Sequence, residues 1–267
     1  MNAGKCVIRV IFSVNSLTIK PDNSSNFATW KQCNKIISQS TMKPHVISHM
    51  MESVDGRIDC AMTEQIEPSN VYYDALDQLA CPTTLEGRVT MQIHFAEPYP
   101  FRAKETTPIG KTAFHKALEE PGYAVALDTK GRLCWPGHMH DGKPLLVVTS
   151  EDCPREYHDT LTRQCISWIA VGKGRIDLKE MLEILNREFN VDRMAVVGGG
   201  HINGSFLAEG LLDEISVMIG PGIDGRKGMA SVFDGIDDPD RPATLLKLNS
   251  LERMGDTVWL RYTLKSE

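Results

Sequence analysis

The stretch AVVGGGHINGSFLAEGLLDE, residues 195 to 214, decides the fold of this chain. An apolar strand runs straight into Gly198, Gly199 and Gly200, and an amphipathic helix is predicted over about 204 to 211. Strand, glycine turn and helix N-terminus together make a phosphate cradle, because the first N–H groups of a helix lack internal acceptors and carry the positive end of its dipole. Glycine also lets an anion approach the main chain closely. The spacing is not the dinucleotide pattern G-x-G-x-x-G, since three glycines are consecutive and the next is Gly204. The alternative is a tight strand-to-helix turn that holds no ligand. Asn203 is placed to cap the helix while facing the anion. His201 is placed to donate to a phosphate or to pack over the helix start.

Working outward, the chain alternates strand and helix: PLLVVT at 144–149, CISWIAVG at 165–172, the helical pattern DLKEMLEILNREF at 177–189, then RMAVVGGG. Such alternation argues for an α/β sheet with parallel strands in its middle. Upstream, residues 45 to 51 read as a strand ended by the turn SVDG at 53–56. A helix is predicted over 69–80 with Ser69 or Asn70 as its cap, and GYAVALDTKGRL at 122–133 reads as a strand closing on a turn. Residues 96 to 110 carry Pro98, Pro100, Pro108 and Gly110 and read as an irregular loop. The tail TLLKLNSLERMGDTVWLRYTL gives two strand-like runs around Gly255, a terminal antiparallel hairpin. The fold class expected is α/β, with a mixed, mostly parallel central sheet flanked by helices and closed by antiparallel C-terminal strands. Residues 1–41 lack sustained periodicity and are expected to be a disordered extension or an over-called start, with one domain over 42–267.

Composition narrows the class. The net charge of −6 offers no general attraction to nucleic acid or an anionic membrane, and no apolar run reaches the roughly 20 residues of a membrane span. Seven dispersed cysteines without a C-x-x-C pair fit reduced thiols in a cytoplasmic protein. The H-M-H at 138–140 with Cys134 nearby lacks a converging carboxylate or cysteine pair, so no metal is expected.

Five segments, in order, resemble the reductase domain that forms the C-terminal half of the bifunctional riboflavin-pathway deaminase-reductase, a branch of the dihydrofolate reductase-like fold. They are SVDGRI at 53–58, EGRVT at 86–90, VALDTKGRL at 125–133, VVGGGHINGSFL at 196–207 and GLLDEISVMIGPGIDG at 210–225. The resemblance implies an NADPH-dependent reductase acting on a C=N or C=O group of a small heterocyclic or ribosylated substrate, with 5-amino-6-(5-phosphoribosylamino)uracil as one candidate. It also implies a homodimer. Gly199, Gly200, His201, Ile202, Asn203, Gly204 and Ser205 match the segment that wraps the cofactor pyrophosphate. Thr90 and Thr129 match cofactor-contacting positions, and Met51 brings main chain near the nicotinamide end. Arg88, Lys130 and Arg132 are candidates for the 2′-phosphate, which wants a fixed cation.

On the substrate side the chain departs from the pathway enzymes. Val197 stands where they usually carry a glutamate, CAMTEQIEPSN lacks the S-x-W-I segment, and MQIHFAEPYP replaces D-D-P. The chain more closely resembles the stand-alone reductase-like branch. The chemistry needs a proton source, for which Asp55 and His94 are candidates, with Glu52 and Ser53 for substrate contact; Asp55 before Gly56 also suits a purely structural turn. Competing readings are a nucleotide-binding protein without turnover and a dihydrofolate reductase proper.

Overall fold

Strands buried on both faces read as unbroken apolar runs, and that is how the middle of this sheet is built. The computed structural model describes residues 43–66 and 70–265, and the expectation for residues 1–41 lies outside them. In chain order the elements are β1 (His45–Glu52), α1 (Cys60–Ile66), α2 (Val71–Gln78), β2 (Thr83–Gly87), α3 (Arg88–His94) and β3 (Ala113–His115). Then come β4 (Ala124–Leu127), β5 (Met139–His140), β6 (Lys143–Thr149), α4 (Arg155–Arg163), β7 (Ser167–Ala170) and α5 (Leu178–Phe189). The last are β8 (Arg193–Gly198), α6 (Gly200–Ala208), β9 (Glu214–Ile219), β10 (Leu246–Met254) and β11 (Thr257–Leu264).

The sheet runs β10-β11-β9-β1-β8-β2-β4-β6-β7-β3, with β5 paired to β6 beside this path. From β9 through β7 every pairing is parallel. The β10–β11 hairpin and β3 add antiparallel edges. The class read from the sequence therefore stands. β8 enters between β1 and β2, so the chain order reverses there, and in open α/β sheets ligands bind beyond the carboxyl ends of strands at such a point. The β2–β8 register also shifts, from Leu85 opposite Val196 to Glu86 opposite Gly198, a bulge that leaves Val197 over.

Local chemistry explains the clearest helix. The Asp177 side chain accepts the Glu180 N–H at 2.9 Å at the start of α5, and Asn190 ends the helix in the left-handed region at φ 55°. Its apolar stripe, Met181, Leu182, Leu185 and Phe189, packs under Leu85, Val125, Leu146 and Val196. The opposite face is covered by two groups. Met91, Trp135, Tyr157 and Leu161 sit over Leu145 and Val147, while Ala75 and Leu79 sit over Ile47 and Ala195. Each fully buried Leu or Phe contributes about 1.5–3 kcal/mol relative to exposure.

Two local expectations change and one helix is added. Asn70 occupies the cap position of α2 but its side chain caps nothing. RVTMQIH, for which no helix was expected, is helix α3 with Met91 buried beneath it. The helix after the glycines begins at Gly200, not near Gly204, with Gly199 as its cap residue. Low glycine propensity argued for a late start, and packing overrides it.

Candidate functional site

The carboxyl ends of β1, β2, β4, β7, β8 and β9 open on one cleft of about 640 Å³, within the range typical of small-molecule sites. Its floor includes Gly87 and Leu127. Arg88, Thr90 and Ile93 of α3 form one flank, Gly199, Gly200, His201, Ile202 and Ser205 another, and Arg175, Ile176 and Leu178 a third. The loops after β1 and β9 make the remaining wall and are tied together. Arg57 Nη1 donates to the Met229 carbonyl at 2.8 Å, and the Ile58 N–H to the Ala230 carbonyl at 3.2 Å.

The glycines divide their work. A side chain at Gly204 or Gly200 would collide with main-chain oxygen, of Asp234 and Ser231 respectively, so these two admit the 231–235 loop and not a ligand. Gly198 packs on the Thr90 side chain, and Gly87 on Ile202. Gly199 alone of the run faces open space, with Thr90 Oγ1 3.8 Å from where a Cβ would stand. The first-turn N–H groups of Gly200 and His201 precede any intrahelical acceptor, and with Arg88 and Arg175 they give the cleft a positive end suited to phosphate. Anionic groups on the same wall are partly offset, since Asp59 pairs with Arg226 at 3.3 Å.

Of the residues singled out from sequence, Arg88, Thr90, Thr129, Gly199, Gly200, His201, Ile202 and Ser205 line this cleft. Asn203 does not cap the helix: it lies inside α6, fully buried, and accepts the Ser48 hydroxyl at 3.0 Å. The cap residue is Gly199, four residues before the expected Asn203, which puts Asn203 inside the helix and toward β1. Gly204 faces the 231–235 loop. Met51 is buried under α2, and Lys130 and Arg132 point to solvent away from the cleft.

The proton-source candidates also lie off the cleft wall. Asp55 accepts the Ser53 hydroxyl at 2.6 Å and the N–H groups of Asp224 and Gly225 at 2.9 Å each, which holds its carboxyl far below the usual carboxylate range. It is a brace between the β1 and β9 loops and stays ionised at neutral pH. Ser53 is buried as the other half of that brace. Burial raises the Glu52 carboxyl, which lies near Gly56 and outside the cleft lining. His94 is exposed at the end of α3.

Two residues escaped the sequence reading. Arg175 reaches the cleft from the loop between β7 and the Asp177 cap, and its signal was the basic KGR at a strand's carboxyl end. Glu86 sits one residue before the end of β2, largely buried, and burial pushes its carboxyl up to about 7. Among the described residues no helix is long and apolar enough to cross a membrane, no cluster of metal-binding side chains occurs, and Cys60, Cys81, Cys134, Cys153 and Cys165 are free.

Comparison with known proteins agrees with this arrangement. A protein named 2,5-diamino-6-ribosylamino-4(3H)-pyrimidinone 5′-phosphate reductase from Methanothermobacter thermautotrophicus is 30% identical over 57% of this chain and 71% of its own length. One of the same name from Archaeoglobus fulgidus is 25% identical over 80% of this chain and 95% of its own length. In structure, the Acinetobacter baumannii RibD protein superposes with a TM-score of 0.63 at 21% identity, over 86% of this chain and 60% of that one. The family described as the RibD C-terminal domain matches residues 44–260. From its glycine turn to its C-terminal hairpin, this chain belongs to the RibD C-terminal domain family.

Proposed function

We propose that this chain is an NADPH-dependent reductase of riboflavin biosynthesis that acts on a ribosylaminopyrimidine phosphate, as the names of its archaeal relatives describe for those proteins. The observation that carries the reading is the cleft at the carboxyl ends of the strands, where Gly199 leaves open space at the start of α6 beside Arg88 and Arg175. These residues fit a dinucleotide. Gly199 and the N–H groups of Gly200 and His201 would take the pyrophosphate, and Arg88 or Arg175 the 2′-phosphate that separates NADPH from NADH. When bound, the cofactor supplies the hydride. The chain's own part is to hold the acceptor against it and exclude water, for which the apolar rim of Val89 and Ile93 is suited. A cytoplasmic homodimer is part of the same proposal.

Asp55 is held as an ionised brace, and this favours one second reading, a protein that binds the dinucleotide without turnover. Nicotinamide fluorescence titrations with NADPH and NADH, followed by NADPH oxidation in the presence of 2,5-diamino-6-ribosylamino-4(3H)-pyrimidinone 5′-phosphate, separate the two. Saturable NADPH-preferring binding with oxidation is the expected result. Binding without oxidation selects the second reading, and no binding removes both. A dihydrofolate reductase would instead oxidise NADPH with dihydrofolate, which this chain is expected to leave unreduced.

A further inference from the structure

The cleft lining contains two carboxylates, Asp59 and Glu209, and their places in the fold set them apart. The strand order β9-β1-β8-β2-β4-β6-β7 puts the end of β8, with Gly199, beside the loops after β1 and β9 and several strands away from β7, whose loop carries Arg175. A dinucleotide with its pyrophosphate at Gly199 therefore has one half toward Arg175, a cation suited to a 2′-phosphate, and the other toward residues 58–61. Glu209 ends α6, about 15 Å along the helix from Gly199 at roughly 1.5 Å per residue. Asp59 stands on the other side, at the end where hydride would be delivered.

That end is otherwise apolar. Ile58, Ala61, Met229 and Ala230 line it, and Val89 and Ile93 of α3 are exposed at its rim. Of the residues after β1 and β9 that line the cleft, Asp59 alone is charged. Its carboxylate is fixed, because Oδ1 accepts the Met62 N–H at 3.0 Å at the start of α1 and Arg226 Nη2 lies 3.3 Å from the same oxygen. Arg226 does not cancel the charge. Its Nε and Nη2 donate to the two oxygens of Asp224 at 2.6 and 2.9 Å, so Asp224 is its closer counter-ion. Oδ2 of Asp59 accepts no hydrogen bond among the described residues.

We propose, resting on the reductase reading above, that Asp59 is a catalytic residue whose free oxygen pairs with the positively charged C=N group of the acceptor. A ribosylamine reaches that form when its ring opens. The ring oxygen leaves the anomeric carbon with its electron pair and takes a proton from solvent, and the nitrogen lone pair forms the C=N bond. Hydride from NADPH then makes the new C–H bond, the C=N π pair returns to nitrogen, and an amine and NADP+ result. Asp59 transfers no proton. It stabilises the open cation, and the apolar wall around it strengthens this pairing by lowering the effective dielectric.

The test titrates the full chain, saturated with NADPH, with pyrrolidinium and with tetrahydrofuran, rings of one size of which only the first is charged, and repeats this with Asp59→Asn. Asparagine caps a helix as well as aspartate does, and an ion pair at this much exposure adds little stability, so the variant isolates the charge. The wild type is expected to bind the charged ring at least about tenfold more tightly, and Asp59→Asn to bring the two rings within about twofold. NADPH oxidation with 2,5-diamino-6-ribosylamino-4(3H)-pyrimidinone 5′-phosphate is expected to fall by about tenfold or more in Asp59→Asn and to recover in Asp59→Glu, with NADPH affinity and melting temperature unchanged. Equal binding of the two rings by the wild type, a preference that survives in Asp59→Asn, or oxidation in that variant within about threefold of the wild type overturns the assignment. If Asp59→Asn does not fold, the wild-type preference between the rings decides. Failure of the reductase reading shows separately, as absent NADPH binding.

Discussion

Replacing Gly199 by aspartate separates a ligand-bearing glycine turn from a structural one. Gly199 has φ −109° and ψ −171°, extended backbone that any residue adopts, and the nearest atom to a new Cβ is Thr90 Oγ1 at 3.8 Å, ordinary contact. Folding should be nearly intact. The new carboxylate would sit at the start of α6, where the proposed pyrophosphate is held. Two like charges about 4 Å apart repel by about 4 kcal/mol at an effective dielectric of 20, and the open cleft halves this to about 2 kcal/mol or somewhat more. At about 1.4 kcal/mol per decade, NADPH affinity should fall by roughly 30- to 100-fold. Gly199→Ala adds a methyl without charge and should cost less than about threefold. Nicotinamide fluorescence titration reads both, and a thermal melt confirms that each variant is folded. A folded Gly199→Asp protein that binds NADPH as tightly as the wild type would refute the cradle assignment.

Gly204→Ala should behave oppositely, because its methyl meets the Asp234 carbonyl: overpacking of about 1–3 kcal/mol or more, seen as a lower melting temperature. Arg175→Ala and Arg88→Ala should each weaken NADPH by about tenfold or more while sparing NADH if that side chain holds the 2′-phosphate; equal losses for the two dinucleotides would point to the pyrophosphate instead. His49 and His158 are buried and pushed down to about 4, below the unfolded value of about 6.5. The unfolded chain therefore binds more protons between those values, and stability falls as pH drops from about 6.5 to 4, by on the order of 3 kcal/mol per histidine. Urea unfolding at the two ends of that window measures the change. Asp55→Asn should loosen the loop after β9, visible as faster hydrogen exchange at the Asp224 and Gly225 amides, whereas unchanged exchange would remove the brace.

The parallel sheet was legible because its strands are apolar runs separated by turns, and the terminal hairpin because Gly255, at φ 66°, turns the chain between Met254 and Thr257. Helix α3 was not legible, since Val89, Thr90 and Ile93 are β-branched and local propensity argues against a helix; burial of Met91 against the sheet outweighs it. Arg175 was hidden because a basic loop reads as solvated surface until the fold brings the loop after β7 to the same cleft as the ends of β4 and β8. Glu86 was hidden differently. It falls within the resemblance segment EGRVT, and only the fold shows its side chain half-buried between Leu85 and Gly87, which are buried on the opposite face.

The glycine run that decided the fold owes most of its composition to packing. Gly200 and Gly204 exist for the 231–235 loop, whose Asp234 N–H donates to the Gly200 carbonyl at 3.0 Å and whose carboxylate takes the Ser231 N–H and hydroxyl at 2.8 Å each. That loop therefore fixes the direction of the first turn of α6, and with it where the free N–H groups of Gly200 and His201 point. From the other side Gly87 lets Ile202 of the same helix pack close on β2, and Gly198 lets the end of β8 pack on Thr90. One position, Gly199, keeps open space where the proposed ligand would sit. A cradle held from both sides needs little reorganisation to take an anion, so a sequence with one glycine at the contact and four in support is what preorganised binding requires.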